Sequence, residues 1–155
     1  MSGYGEELNR FLVEVFNDIL KTEELHATES FADLSLREVH LIEEVCLAVD
    51  HQRDNRATAI AAAQRVTAGT LTTVVNQLEK KGYLIRRRDD ADKRAVRLCP
   101  TEKGREANER HSAFHHEMVE SIMEVLDEEE LNVFCKALAG IASFFREKYL
   151  NKTSE

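Results

Sequence analysis

The hydrophobic pattern of this chain changes its period at Gly82, and no other feature constrains the fold as strongly. Before Gly82, apolar residues repeat at the three- and four-residue spacing of one helix face: Leu71, Val74, Val75 and Leu78. After it, residues 83–85 and 94–98 alternate apolar and polar side chains around a polar tip, which is the pattern of a β-hairpin. Because glycine commonly ends a helix, the sequence predicts a helix over 67–81 that passes directly into a hairpin.

The rest of the chain is predicted to be helical, because one proline and six glycines in 155 residues leave few helix breakers. Capping residues mark where helices begin: Ser35 with Glu38, Thr58, Thr67, Thr101, and Asp127 with Glu130. The predicted order is three helices, the helix that ends at Gly82, the hairpin and two long helices. A short helix, a turn, a second helix and a two-stranded wing form a winged helix-turn-helix, so we expect a mainly α fold of this kind.

The first and last helices carry wide apolar stripes that one chain of this length cannot cover. We therefore expect a single domain over 1–155 that forms a two-fold homodimer. Residues 35–100 would form the winged-helix part, and residues 5–27 and 102–150 the dimerisation helices.

Taken alone, the net charge of −8 argues against a nucleic-acid partner, but the charge is unevenly distributed. Residues 79–97 contain eight bases and four acids, a local charge of +4, and the remainder contains 13 bases and 25 acids, or −12. A basic hairpin beside a polar helix is the electrostatic pattern of a protein that binds the DNA backbone.

The polar face of the 67–81 helix combines small residues with side chains that can read base edges in the major groove. An arginine at the hairpin tip, such as Arg94, could enter the minor groove. Asp92, two residues earlier in the chain, would orient the guanidinium of Arg94 through a charge-assisted hydrogen bond. The predicted DNA contacts are Thr67, Gly69, Thr70, Thr72, Thr73, Asn76, Gln77, Lys80, Arg86, Arg88, Lys93 and Arg94. A dimer would bind a pseudo-palindromic double-stranded site with half-sites about one helical turn apart.

Other classes of protein are disfavoured by the sequence. No apolar run reaches the length of a membrane span and the N-terminus lacks the pattern of a signal peptide, so no membrane partner and a cytoplasmic location are expected. The glycine-rich phosphate loop, the nucleophile elbow and the HExxH motif are missing, so an enzyme is not expected. A helical protein-interaction bundle is a further alternative, which the basic hairpin disfavours.

Three stretches resemble the multiple-antibiotic-resistance regulator (MarR) family in the same order along the chain: Ala68–Leu84, Asp92–Arg94 and Thr101–Gly104. The resemblance implies a dimeric winged-helix transcription factor, usually a repressor, in which Asp92 and Arg94 correspond to the family's wing residues. The chain departs from the family at Gln64 and Arg65, where leucine and glycine are usual.

Within that family, residues 114–120, 127–130 and 35–40 resemble the repressors of fatty-acid biosynthesis genes. This resemblance implies regulation of such genes by an acyl-type effector, either an acyl chain on acyl carrier protein or another small molecule.

Two further sensor types remain open. His111 and His115 are four residues apart on one predicted helix, a spacing that suits a shared metal, and with Glu24 and His40 they match the ligands of zinc-uptake repressors in the family. The alternative is that these side chains line a polar crevice. An oxidant sensor would use a thiol, but Cys46, Cys99 and Cys135 are expected to be buried or half-buried and inert.

Overall fold

A computed structural model describes residues 3–150, and it confirms the predicted winged helix-turn-helix. The elements in chain order are α1 (Gly3–Ser30), α2 (Leu36–Asp50), α3 (Ala57–Ala63), α4 (Ala68–Lys81), β1 (Leu84–Arg88), β2 (Val96–Pro100), α5 (Glu102–Met123) and α6 (Glu128–Phe145). A short π-helical segment, Arg146–Leu150, follows α6. The two strands pair antiparallel, with Leu84 opposite Pro100 and Arg88 opposite Val96.

Most of the predicted helix boundaries are confirmed by their capping contacts. Ser35 and Glu38 form a capping box at α2, the hydroxyl of Thr67 accepts a hydrogen bond from the third residue of α4, and Gly82 ends α4 with φ +81°. The prediction that Thr58 caps α3 is wrong. Arg56 takes that position, because the Asp54 carboxylate accepts its backbone N–H at 3.0 Å and holds the chain extended there.

The hydrophobic core fastens the hairpin to the helices. Its largest fully buried aliphatic side chains come from five elements: Ile42 of α2, Ile60 of α3, Leu78 of α4, Leu84 of β1 and Leu98 of β2. Each such side chain stabilises the fold by about 1.5–3 kcal/mol relative to exposure. A two-stranded hairpin is marginal by itself, so the position of the wing depends on this shared core.

The structure divides after Ser112 into two compact units. In the first unit, α1 exposes a row of apolar side chains: Leu8, Phe11, Val15, Phe16 and Leu20. In the second unit, α6 buries none of its residues and exposes Val133, Phe134, Leu138, Phe144 and Phe145. The predicted single domain and its boundaries stay a prediction. Among residues 3–150, no helix combines the length and the apolar character that crossing a membrane requires.

Candidate nucleic-acid interface

The face of α4 opposite the core is exposed and free of acidic side chains. Its exposed residues, which we call the reading face, are Gly69, Thr72, Thr73, Asn76, Gln77 and Lys80. Thr67 is exposed as the cap residue, whereas Thr70 is half-buried. The first turn of α4 contains no acid, so its backbone N–H groups present their partial positive charge to any approaching phosphate.

The hydroxyls on the reading face are oriented by the helix itself. Thr72 donates its hydroxyl hydrogen to the carbonyl of Ala68 at 2.8 Å, and Thr73 donates to the carbonyl of Gly69 at 3.1 Å. Because each hydroxyl hydrogen is engaged by the helix, each hydroxyl oxygen is left to act as an acceptor on this exposed face. The nearest heavy atom to a side chain built on Gly69 is 4.0 Å away, so the glycine leaves open space on this face.

The basic residues of 79–97 divide into two groups. Three of them are held in ion pairs: Lys81 with Glu38, Arg86 with Glu79, and Arg97 with Asp89. Five are exposed: Lys80, Arg87, Arg88, Lys93 and Arg94. The predicted contact Arg86 is thus half-buried against α4, whereas Arg88, Lys93 and Arg94 are exposed on the wing, by which we mean residues 84–100.

The turn of the wing is organised by two aspartates rather than one. Asp92 accepts the backbone N–H of Arg94 at 3.0 Å, instead of the guanidinium contact that the sequence suggested. Asp89, which sequence reasoning missed, is 5 % exposed and accepts the backbone N–H groups of Ala91 and Asp92 at 2.8 and 2.9 Å. These backbone hydrogen bonds, together with Arg97, lower the pKa of Asp89 and keep it ionised.

A second contact joins the wing to the loop between α2 and α3. Arg97 donates from Nε to Asp89 and from Nη1 to Oδ1 of Asn55, the latter at 2.6 Å. Asn55 in turn donates from Nδ2 to the carbonyl of Leu98 and accepts the N–H of Leu98 on its own carbonyl, both at 2.9 Å. Asn55 and Arg97 lie 42 positions apart in the chain, so no local sequence pattern indicates this contact.

The C-terminus of α4 is fixed by a buried carboxylate. Glu38 is 4 % exposed and accepts two hydrogen bonds from Nζ of Lys81, at 2.7 and 2.9 Å. Burial alone would raise the pKa of Glu38, but the hydrogen bonds from Lys81 and Ser35 outweigh it and lower the pKa. The helix that carries the reading face is therefore anchored to the start of α2.

Tyr83, the residue after Gly82, is contacted both at its hydroxyl and on the face of its ring. The hydroxyl of Tyr83 donates to Asp33 at 2.7 Å, and Nζ of Lys103 lies 4.0 Å from the centroid of its ring. Burial and the Asp33 contact raise the pKa of Tyr83 to about 12. The carbonyl of Tyr83 accepts hydrogen bonds from the N–H and the hydroxyl of Thr101, which ties the start of the wing to the start of α5.

Of the predicted metal ligands, the structure brings His40 and His111 together, with ring centroids 5.3 Å apart. The carboxylate beside His40 belongs to Glu23, at 3.8 Å, and Glu24 is exposed, because successive helix residues point about 100° apart and α1 turns Glu23 inward. His111 is buried with Glu43 at 3.7 Å. His115 lies one turn further along α5, in the second unit.

The three cysteines occupy different environments. Cys46 is buried in the core, and desolvation raises its pKa to about 11. Cys99 is half-buried in β2, and Cys135 is exposed on α6. The expectation of buried or half-buried thiols is therefore confirmed for Cys46 and Cys99. It is wrong for Cys135, because α6 buries none of its residues.

Comparisons with known proteins give one consistent assignment. The model of the MarR family matches residues 47–96. FabT of Streptococcus pneumoniae, solved in complex with DNA, is 36% identical over 92% of this chain and 97% of its own, with a TM-score of 0.81. The HTH-type transcriptional repressor YetL of Bacillus subtilis is 29% identical over 84 residues, 54% of this chain, and that match spans only half the length of YetL. MepR of Staphylococcus aureus, solved in a DNA complex, is 20% identical over 88% of this chain and 96% of its own, with a TM-score of 0.68, and supports the fold alone.

Proposed function

Since this chain belongs to the MarR family, we propose that it is a transcriptional repressor that binds double-stranded DNA sequence-specifically as a homodimer. The observation that carries the proposal is the acid-free reading face of α4 beside a wing with exposed cations. The likeness to FabT, whose structure contains DNA, supports it over nearly the whole chain.

Each part of this surface has a distinct task in the proposal. Asn76 and Gln77 are amides that can pair with adenine edges, and exposed Thr72 and Thr73 carry methyl groups that suit thymine methyls. Lys80 and the exposed wing cations contact phosphates, and Arg94 enters the flanking minor groove.

The homodimer follows from the exposed apolar faces of each unit. Phe11 and Phe16 on α1, and Phe134 and Leu138 on α6, are 39–49 % exposed in the single chain. Apolar rows of this kind mark protein interfaces, and a second copy related by a two-fold axis would cover them. Two copies then present two reading faces to a pseudo-palindromic duplex.

The proposal is tested by charge removal with a matched control. Lys80→Met and Arg94→Met each remove an exposed cation from the proposed interface. The control, Arg105→Met, removes a cation of α5 that lies outside this interface and pairs with Asp50 at 2.9 Å. The probe is a duplex selected by the wild-type protein from a random-sequence library. We expect the first two variants to bind about tenfold more weakly and to lose about one unit of salt slope each. Equal affinity and salt slope in all four proteins would overturn the proposal.

The genes and the effector are proposed from the resemblance to the fatty-acid biosynthesis repressors. Residues 114–120 and 35–40 carry that resemblance, so we propose an acyl-type effector, carried on acyl carrier protein or free, that prefers one state of the dimer. Acyl carrier protein loaded with a long acyl chain should change the affinity for the selected duplex, and the unloaded carrier should not. Identical affinities with both forms would contradict an acyl effector while leaving DNA binding intact.

A zinc-responsive repressor of metal-uptake genes is the second candidate, favoured by the proximity of His40 and His111. The imidazoles of His40 and His111 belong to the predicted set, and Glu43, which the prediction did not include, adds a carboxylate 3.7 Å from His111. Imidazole and carboxylate are both donors that zinc accepts. Exposed Glu24 does not contribute to the cluster seen here. Elemental analysis of untagged protein should find one metal per chain that is lost in both His40→Ala and His111→Ala. Unchanged DNA affinity in excess zinc would exclude this candidate.

A further inference from the structure

A wing can place an arginine in the minor groove only if the hairpin is held at a defined angle to α4. The strands of this wing are five residues each, and a two-stranded ribbon of that length bends and twists readily. Core contacts through Leu84 and Leu98 fix its base. The tip, residues 89–95, lies beyond these contacts and needs its own support.

The only buried carboxylate in the described part of the wing provides that support. Asp89 binds the tip through the N–H groups of Ala91 and Asp92 and receives Nε of Arg97 from the opposite strand. Arg97 continues to Asn55, which pairs with the backbone of Leu98. The chain of contacts therefore runs from the tip, across the hairpin, to the loop that precedes α3.

We propose that Asp89, Arg97 and Asn55 form a bridge that positions the wing, and with it Arg94, for insertion into the minor groove. The three are positioning residues, because Asp89 is buried and an anion that cannot itself bind DNA. This inference rests on the proposed DNA binding and specifies which residues make the wing competent for it.

The bridge makes a prediction opposite in sign to simple electrostatics. Asp89→Asn removes a negative charge near the DNA and releases Arg97 from its ion pair with Asp89, so electrostatics alone predicts tighter binding. If Asp89 positions the tip, the same change weakens binding, because the amide accepts the backbone and guanidinium hydrogen bonds less well. Asn55→Ala changes no charge and removes the other end of the bridge.

The experiment compares wild type, Asp89→Asn, Asn55→Ala and the control Asp50→Asn on the duplex selected by the wild-type protein. Asp50 of α2 also pairs with an arginine at 2.9 Å, but that arginine, Arg105, belongs to α5 and not to the wing, so the control is matched in charge. Anisotropy gives the affinity, and dimethyl sulphate reports adenine N3 in the minor groove and guanine N7 in the major groove. Thermal unfolding checks that each variant is folded.

We expect Asp89→Asn and Asn55→Ala to bind about tenfold more weakly and to lose protection of adenine N3 while guanine N7 stays protected. Asp50→Asn should bind as tightly as wild type or slightly tighter. Unchanged or tighter binding by folded Asp89→Asn, or equal loss of protection in both grooves, overturns the bridge. Failure of the wild-type protein to select any duplex would instead overturn the proposed function.

Discussion

At Gly104, a single added methyl group should disturb the fold. A Cβ built there would lie 2.2 Å from the carbonyl oxygen of Tyr83, a backbone atom that cannot rotate away. That oxygen accepts hydrogen bonds from the N–H and the hydroxyl of Thr101 at 3.0 and 3.1 Å. Gly104→Ala therefore forces apart the contact that joins the start of the wing to the start of α5.

The magnitude follows from three contributions. Overpacking a tight backbone contact costs about 2 kcal/mol, and weakening one of the Thr101 hydrogen bonds costs about 1 kcal/mol. The higher helix propensity of alanine relative to glycine offsets about 1 kcal/mol of this destabilisation. We expect Gly104→Ala to lower the free energy of unfolding by about 2 kcal/mol.

The matched control is Gly69→Ala, also a helical glycine but with its nearest neighbour 4.0 Å away. It should raise the free energy of unfolding by up to about 1 kcal/mol, while its methyl group on the reading face weakens DNA binding. Urea unfolding followed by circular dichroism, fitted as a dimer-linked transition at fixed protein concentration, measures both. A Gly104→Ala protein as stable as Gly69→Ala would refute the packing argument.

Three further predictions concern the backbone at Arg65, the ion pair between Glu38 and Lys81, and the thiols of Cys46 and Cys135. Arg65 has φ +53°, so Arg65→Gly should raise the free energy of unfolding by up to about 1 kcal/mol in urea titration, and a loss would refute backbone strain there. The pKa of Glu38 lies below its unfolded value of 4.5, so its contribution is present above that pH and is lost as the pH falls through the folded pKa. Lys81→Met removes the main contact that lowers this pKa, so it should lose less stability than wild type as the pH falls through and below 4.5, as measured by urea titration at a series of pH values. An equal loss of stability in the two proteins would contradict this contribution of the ion pair. Alkylation of the native protein should label Cys135 well before Cys46, whose pKa is raised to about 11, and equal rates would contradict its burial.

Much of the fold is readable from the sequence because its signals are local. The capping boxes at Ser35 and Asp127, the stop at Gly82 and the change of period after it each depend on residues within one turn or one strand. The same holds for the reading face, since the buried positions of α4 determine which residues are exposed opposite them.

The parts that sequence reasoning missed depend on which side chains the folded structure brings together. The roles of Lys81, Arg86 and Arg97 could not be separated from those of the exposed cations by charge counting, because their acidic partners are chosen by the tertiary fold. Glu24 is predicted beside His40, but the carboxylate found there belongs to Glu23. The two residues are neighbours on one helix, and a resemblance to a ligand set does not determine which of them faces His40.

The departure from the family pattern at Arg65 has a structural consequence. Arg65 adopts the left-handed conformation that glycine adopts without strain, and Gln64 donates to the carbonyl of His40 at 3.4 Å. The turn between α3 and α4 is therefore kept in shape by its surroundings rather than by a glycine.

The central claim is that α4 and the wing bind a two-fold DNA site, and one titration tests it directly. Labelled duplex selected by the wild-type protein is titrated with that protein and with Thr73→Ala/Asn76→Ala at low and physiological salt, beside a shuffled duplex. The account predicts saturation at two chains per selected duplex, weaker binding at higher salt, and loss of the preference over shuffled DNA in the double variant. Equal binding of both duplexes by the wild-type protein, or an unchanged preference in the double variant, would contradict it.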